Sequence, residues 1–115
     1  GGMAGVHQFA RIGEYCMIGG MYRVVKDVPH YTLASGDPLR LNGLNKVGLE
    51  RAGIDEAKRR EIYNFYKNLY DKEKRFTDSF NEALSKKDEY IPEIQKIIEF
   101  YEGSKRGVTF WAMRS

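Results

Sequence analysis

The side chains that could carry out chemistry are few in this sequence. It contains two histidines, His7 and His30, and a single cysteine, Cys16. Histidine titrates near neutral pH, so His7 and the neighbouring Gln8 form the first candidate pair, although a purely structural role for His7 stays open. His30 lies on a turn-rich connector, where we expect a structural or solvent-exposed side chain. Cys16 cannot form an internal disulfide, and it occupies a place that alanine holds in earlier repeats, which favours a packed side chain over a nucleophile.

The repeat that positions these residues has a period of six. Its aliphatic members are Val6, Ile12, Ile18 and Val24. An α-helix repeats every 3.6 residues and would scatter them around its surface. Glycine after two of these aliphatics, and a small residue at the fifth position of each hexad, favour a β-solenoid in which each hexad forms one short strand and a corner. Four hexads make about one and a half turns of a three-sided solenoid, so we expect a fragment whose upstream coils are missing.

After Pro29 the register ends in a turn-rich stretch, and the rest of the chain has helical spacing. We therefore predict the end of a hexapeptide β-helix with its exit connector over residues 1–40, and a C-terminal helical domain over residues 41–115. The last stretch, from Ser104 onward, has no pattern that predicts an element.

Four helices are predicted in the second part from apolar spacing and capping residues. Gly53 is expected to end the first helix, Asp55 to cap the second, and Thr77 or the following aspartate to open the third. Pro92 is expected to open the fourth helix and Gly103 to end it. Their apolar positions are, helix by helix, Leu41, Leu44, Val47 and Leu49; Ile62, Phe65, Tyr66 and Leu69; Phe80, Ala83 and Leu84; and Ile94, Ile97, Ile98 and Tyr101.

Composition excludes several classes of protein. The 115 residues are 42% hydrophobic and 30% charged, which is typical of one globular domain. The net charge of +3 is small and is not concentrated in one half, so nucleic-acid binding is not expected. No apolar run is long enough to span a membrane, and no signal peptide is apparent. Together with the single cysteine, this favours a cytoplasmic protein, for which we predict neither a metal nor a cofactor.

Several motifs in order along the chain carry a resemblance to a known family. They are "VHQF" (6–9), "IGG" (18–20), "DVPHY" (27–31), "ASG" (34–36), "NKVGLERAG" (45–53) and "SKRG" (104–107). The sequence resembles the C-terminal part of the UDP-N-acetylglucosamine acyltransferases, hexapeptide-repeat enzymes of lipid A synthesis. The resemblance implies the last coils of a left-handed parallel β-helix followed by a C-terminal helical bundle.

What the resemblance implies for function is acyl transfer. An (R)-3-hydroxyacyl group would move from acyl carrier protein to the 3-hydroxyl of UDP-N-acetylglucosamine, which requires a base and donors for the oxyanion. In the family the base is a histidine on an earlier coil, so it is expected upstream of Gly1 and this chain alone is expected to be inactive. The family enzyme is a homotrimer with active sites between adjacent solenoids.

The resemblance also assigns candidate site residues. His7 and Gln8 would line the cleft between subunits and position the substrate. Arg51 would contact the diphosphate or the carrier, since a guanidinium can bind phosphate in a bidentate manner, and Asn45 could offer its amide to the same nucleotide. Gly20 would lie at the far end of the acyl groove and act as a ruler of acyl length, although a corner that needs a positive φ would also explain this glycine.

The sequence departs from the family pattern at one basic position. A second arginine often follows the first in the family, but Ala52 stands there in this chain. Lys46, Lys58, Arg59 and Arg60 could form a patch for the acidic carrier protein, while for each of them a solvated helix face is the simpler interpretation.

Two other functions stay open. One is a non-catalytic cap that trimerises or binds carrier protein without turnover. The other is the related UDP-3-O-acylglucosamine N-acyltransferase, which shares the solenoid and the donor but usually differs in its C-terminal helical extension.

Overall fold

The computed structural model describes residues 9–20 and 23–112 of the chain as a small sheet followed by helices. The sheet has the order β1-β2-β3, in which β1 and β2 are parallel and β2 and β3 antiparallel. A short 3₁₀ helix, Lys87–Glu89, precedes the last α-helix. The other elements are β1 (Met17–Ile18), β2 (Thr32–Ser35), β3 (Arg40–Leu44), α1 (Lys46–Arg51), α2 (Glu56–Leu69), α3 (Phe76–Ser85) and α4 (Pro92–Glu102).

Residues 11–19 and 27–35 run parallel to each other with a constant offset. Met17 pairs with Leu33 in the sheet, and Ile12 forms an isolated parallel bridge with Val28, so each partner lies 16 residues further along. Hydrogen bonds from Gly13 N to the Val28 carbonyl and from Val28 N to the carbonyl of residue 11 join the same two stretches at 2.8 and 2.9 Å. The hexad register therefore ends before Val28, slightly earlier than the sequence predicted.

The two parallel stretches also have the same backbone conformation at their corners. Tyr15 and Tyr31 have φ of 54° and 71°, and Gly20 and Gly36 have φ of 57° and 97°, so left-handed residues recur 16 positions apart. The rings of Tyr15 and Tyr31 stack with their centres 6.4 Å apart. A left-handed corner is costly for a residue with a side chain and is free of that cost for glycine.

Burial of the hexad aliphatics increases along the chain. Val24 is fully buried, Ile18 is half-buried against the core, and Ile12 is 42% exposed. Val6 lies outside the described residues. Val24 is thus buried as predicted, whereas Ile12, which was also predicted to be buried, is exposed.

The helices pack around α2, which contacts α1, α3 and α4. The predicted cap is confirmed because the Asp55 carboxylate accepts a hydrogen bond from Lys58 N at 2.8 Å. Pro92 opens α4 and Gly103 follows its last residue, as predicted. The stripe predicted for α2 is also confirmed, and its buried residues are Ile62, Phe65, Tyr66 and Leu69.

Several sequence predictions about the helices need correction. Helix α3 begins at Phe76 with Arg75 as its N-cap residue, so Thr77 and Asp78 lie inside its first turn and do not open it. Val47 and Leu84, which were predicted on apolar faces, are 54% and 37% exposed.

Two further corrections concern the first and the last helix. Leu41 and Leu44 lie on β3 and not on a first helix, because residues 40–44 pair with β2 and helix α1 begins only after Asn45. Strand β3 therefore crosses the boundary predicted between residues 40 and 41. In α4 it is Phe100 that is buried in addition to the three isoleucines, while Tyr101 is half-buried.

The C-terminal stretch returns to the sheet, which the sequence did not predict. Val108 forms a parallel bridge with Asp27, and Trp111, which is 3% exposed, forms one with Leu41. The buried Asp27 carboxylate accepts hydrogen bonds from Arg11 N at 2.8 Å and from the Ser104 hydroxyl at 2.7 Å. These contacts join the first and last described parts of the chain.

Candidate functional site

The predicted site residues fall in three places. His7 and Gln8 lie outside the described residues. Gly20 is exposed at a corner of the first stretch, and its φ of 57° gives a backbone reason for glycine there. Asn45 and Arg51 lie at the two ends of helix α1.

Both polar atoms of the Asn45 side chain are engaged. Its Oδ1 accepts a hydrogen bond from Gly48 N at 3.2 Å, which caps the helix. Its Nδ2 donates to the Tyr15 carbonyl at 3.0 Å, across 30 residues of sequence. An amide has two N–H groups and two acceptor lone pairs, so one of each is left for another partner.

Arg51 is the last residue of α1 and is exposed. Within residues 9–20 and 23–112 its side chain makes no hydrogen bond or ion pair. Asn45 and Arg51 are separated by six residues, which corresponds to about 9 Å along a helix axis and to faces about 120° apart. The structure therefore does not bring the two side chains together on one face of α1.

A cleft of about 570 Å³ lies between α1 and α2. Leu44, Leu49 and the 37% exposed ring of Tyr63 form its apolar part. Lys46 and Arg60 belong to its charged lining. Glu50 and Glu56 also line the cleft and pair with Arg59 and Arg60, so Lys46 is the cation of this lining that has no carboxylate partner among the described residues.

Three of the four basic residues predicted for a carrier-protein patch have carboxylate partners. Lys46 is the exception, with no carboxylate within ion-pair distance among the described residues. Paired cations attract an acidic partner less than free ones do, so the patch is weaker than the sequence suggested. The three pairs are Lys58–Glu93 at 3.3 Å, Arg59–Glu50 at 3.7 Å and Arg60–Glu56 at 2.9 Å.

His30 has the structural role that the sequence favoured. Its Nδ1 accepts a hydrogen bond from Glu14 N at 2.7 Å, and its ring lies edge-on to Phe100 with centres 5.0 Å apart. Burial lowers the pKa of His30, the Glu14 carboxylate opposes this, and the Lys96 and Arg11 charges add to it. The neutral imidazole is thus the form that this site holds, and its Nδ1 is already occupied.

Cys16 also belongs to the packed part of the chain. Its Sγ lies 2.9 Å from the Pro29 carbonyl and 3.9 Å from the Thr32 hydroxyl. Burial raises the pKa of the Cys16 thiol, and hydrogen bonds involving Thr32 only partly offset this. A thiol held in its neutral form is a poor nucleophile, as predicted.

Neither a metal site nor a membrane span is found in the part of the chain that the structure describes. No three histidine, cysteine or acidic residues are gathered there in a way that could hold a metal ion. None of the helices described combines the length and the apolar character needed to cross a bilayer.

Known proteins match most of this chain. A family model described as "Udp N-acetylglucosamine O-acyltransferase; Domain 2" matches residues 27–109. A relative from Nautilia profundicola, named acyl-[acyl-carrier-protein]--UDP-N-acetylglucosamine O-acyltransferase, is 39% identical over 96% of this chain and 42% of its own length. A relative of the same name from Chlamydia abortus is 43% identical over 85% of this chain and 35% of its own length. The chain thus spans about two fifths or less of these relatives.

Solved structures agree with the sequence matches. The UDP-N-acetylglucosamine acyltransferase of Francisella novicida has a TM-score of 0.85 and 28% identity over 95% of this chain and 40% of its own. The UDP-N-acetylglucosamine O-acyltransferase of Moraxella catarrhalis has a TM-score of 0.80 and 38% identity over 92% of this chain and 41% of its own. Because the family model covers well over half of the sequence, the resemblance is confirmed, and the chain belongs to the UDP-N-acetylglucosamine O-acyltransferase family.

Proposed function

We propose that this chain forms the C-terminal part of an enzyme that moves an (R)-3-hydroxyacyl group from acyl carrier protein to the 3-hydroxyl of UDP-N-acetylglucosamine, the first step of lipid A synthesis. The match of residues 27–109 to the second domain of the O-acyltransferase family carries this proposal. The names of the relatives identify the same donor and acceptor. The match to the O-acyltransferase domain also favours this function over the related N-acyltransferase.

The reaction requires a base for the sugar hydroxyl and donors for the tetrahedral oxyanion. We assign the base to a histidine upstream of Gly1. His30 is unsuited to this task because its Nδ1 accepts the Glu14 N–H and burial lowers its pKa. His7 and Gln8 would position the substrate from the cleft wall.

Helix α1 would contribute to nucleotide or carrier binding. The Arg51 guanidinium is exposed and, in the described part of the chain, unpaired, so it is available for a bidentate contact with a phosphate. Asn45 would add its second N–H while the first stays on the Tyr15 carbonyl.

The assembly would be a homotrimer of left-handed parallel β-helices, each ending in a helical bundle, in the cytoplasm. The parallel pairing of residues 11–19 with 27–35 at a constant offset supports stacked coils. Flat faces of such coils can pack side by side around a threefold axis, which would place a substrate cleft between subunits.

Gly20 would set the accepted acyl length. It is exposed at its corner, so a side chain there would extend away from the backbone into any groove that passes it. A glycine would leave room for the end of a long acyl chain, and each methylene it admits would contribute about 0.8 kcal/mol.

A chimera tests the proposal. Residues 1–115 would replace the matching 42% of the Nautilia profundicola relative, and the product would be assayed with (R)-3-hydroxyacyl carrier protein and UDP-N-acetylglucosamine. We expect the chimera to form the 3-O-acyl sugar nucleotide and this chain alone to form none.

Two outcomes would overturn the proposal. A chimera that folds and assembles but has no turnover would favour a non-catalytic cap. Acylation of an amine on the deacetylated sugar nucleotide, without acylation of the hydroxyl, would favour the N-acyltransferase.

A further inference from the structure

Lys26 and Arg40 differ from Lys58, Arg59 and Arg60 of α2. Neither Lys26 nor Arg40 has a carboxylate partner within residues 9–20 and 23–112. Arg40 donates one guanidinium N–H to the carbonyl of the adjacent Leu39 at 2.8 Å. The Lys26 ammonium lies over the Phe110 ring, 5.7 Å from its centre. Exposed basic side chains are common on protein surfaces and do not by themselves indicate a binding site. The residues around Lys26 and Arg40 therefore decide whether these two form one.

Both cations line a cleft of about 330 Å³, at the lower end of the roughly 300–1,000 Å³ typical of small-molecule sites. Its remaining walls are mainly apolar. Phe110 is 52% exposed there, although Thr109 and Trp111 on either side of it are each 3% exposed. The apolar wall residues are Val25, Pro38, Leu39 and Phe110.

The walls of this cleft are fixed by backbone hydrogen bonds. Thr109 N donates to the Asp27 carbonyl at 2.8 Å, and Leu41 N donates to the Phe110 carbonyl at 2.8 Å. The Arg106 side chain donates through Nε to the Val25 carbonyl at 2.8 Å. The three wall segments are therefore held together before any ligand arrives, which lowers the entropic cost of binding.

A second cleft, of about 420 Å³, shares Arg40 and Phe110 with the first, and Asp71 and Lys74 also line it. Its apolar lining includes Leu69 and Phe76. A ligand whose anionic group lies between Lys26 and Arg40 could thus place an apolar body against Phe110 in either cleft.

We propose that this double cleft, defined by Lys26, Arg40 and Phe110, binds an organic phosphate with an apolar body. Arg40 binds the phosphate through bidentate hydrogen bonds from its planar guanidinium, and the Lys26 ammonium adds a second positive charge. Phe110 and Leu39 cover the apolar body and supply the discrimination against inorganic phosphate. This site is separate from helix α1 and does not depend on the proposed acyl transfer.

The test uses hexyl phosphate as the probe and inorganic phosphate as its comparison. The chain, labelled with ¹⁵N, is titrated in a buffer without phosphate and followed by NMR. We expect hexyl phosphate to shift the amides of residues 25–26, 39–40 and 108–110 and to bind at least tenfold more tightly than inorganic phosphate, as burial of two methylenes would produce.

Three variants separate the contributions of charge and apolar surface. Arg40→Gln should lower the affinity for both probes at least tenfold. Phe110→Ser should remove the preference for hexyl phosphate while leaving the affinity for inorganic phosphate within twofold. Arg23→Gln removes an exposed charge close in sequence to Lys26 and should change neither affinity more than twofold.

Three results would overturn the proposal. Equal weakening by Arg40→Gln and Arg23→Gln would show non-specific attraction to surface charge. Equal affinities for the two probes in the unchanged chain would show that the apolar walls have no role. Binding to vesicles of phosphatidylglycerol and phosphatidylcholine, without binding of monomeric hexyl phosphate, would show a membrane surface to be the partner instead.

Discussion

Asn45 joins helix α1 to the corner at Tyr15 through a hydrogen bond from its Nδ2 to the Tyr15 carbonyl at 3.0 Å. The same side chain caps α1 through Gly48 N. One amide thereby fixes both the first turn of the helix and its position on the preceding coil. Any contact that Arg51 makes at the other end of α1 depends on this attachment.

Gly48→Ala should be destabilising, although alanine is the better helix former by up to about 1 kcal/mol. A Cβ at Gly48 would lie 2.9 Å from the Asn45 Cγ, so the Asn45 side chain would have to move and lose both hydrogen bonds. We expect Asn45→Ala to cost about 2 kcal/mol, and Gly48→Ala added to Asn45→Ala to be neutral or stabilising. Urea unfolding of both single variants and the double variant measures this coupling, and additive effects would contradict it.

His30 should make stability depend on pH. Its folded pKa is lowered by burial, so the unfolded state takes up the proton first as the pH falls. The stability that neutral His30 adds to the folded state is fully present above the usual pKa of about 6.5, and it is lost progressively as the pH falls below that value. His30→Asn keeps an acceptor for Glu14 N without titrating, and at pH 7.5 it should cost about 1 kcal/mol through lost packing on Phe100. Its free energy of unfolding should therefore decline less than that of the unchanged chain between pH 7.5 and 5.5, and equal slopes would contradict the assignment.

Arg51→Ala in the chimera should raise the KM for UDP-N-acetylglucosamine or for the acylated carrier protein. Loss of a charge-assisted contact of about 1.5–3 kcal/mol corresponds to an increase in KM of roughly 10- to 150-fold. Stability should not change, because Arg51 makes no hydrogen bond or ion pair within the part of the chain described. Arg75→Ala, which removes an exposed arginine at the N-cap of α3, serves as the control. Unchanged kinetics for both substrates would identify Arg51 as a solvated residue.

Gly20→Met in the chimera should move donor preference toward shorter 3-hydroxyacyl chains, by roughly fourfold for each methylene excluded. The control is Gly20→Ala, which meets the same strain at φ 57°, about 1–2 kcal/mol, without a long side chain. Competition assays with donors of different length measure the shift. If both variants lost activity equally with every donor, the positive φ would be the whole reason for a glycine at this position.

Local patterns predicted helices α2 and α4 well. The spacing of Ile62, Phe65 and Tyr66, the cap at Asp55 and the first-turn position of Pro92 all depend on residues within one or two turns of each other. Such signals are contained in a short stretch of sequence, so the type and approximate bounds of α2 and α4 could be predicted.

Long-range pairing was the part that could not be predicted. Leu41 and Leu44 are three residues apart, which fits a helix, and only the pairing of β3 with β2 makes them strand residues. Trp111 is buried by a bridge to Leu41, 70 residues earlier in the chain, which no local pattern indicates.

The candidate site was predictable in its residue types and not in their surroundings. The motif around Asn45 and Arg51 could be recognised, but the attachment of Asn45 to Tyr15 spans 30 residues. The neutralisation of Lys58 by Glu93 likewise joins α2 to α4. No local pattern indicates that Lys26 and Arg40 line one cleft with Phe110.

The bonds of Asp27 have a consequence for synthesis of the chain on the ribosome. Its carboxylate accepts a hydrogen bond from the Ser104 hydroxyl, 77 residues later in the chain, and its backbone carbonyl accepts one from Thr109 N. Neither bond can form until those residues have been synthesised. At about 5–20 residues per second, these partners are made roughly 4–16 s after Asp27 itself. During that interval the partners of the Asp27 carboxylate in a nascent chain, among the described residues, are the backbone N–H and the guanidinium of Arg11. The last coil can therefore close completely only when translation has passed Thr109. Premature termination within residues 103–109 should therefore leave four formed helices beside an open coil, which is a substrate for proteases.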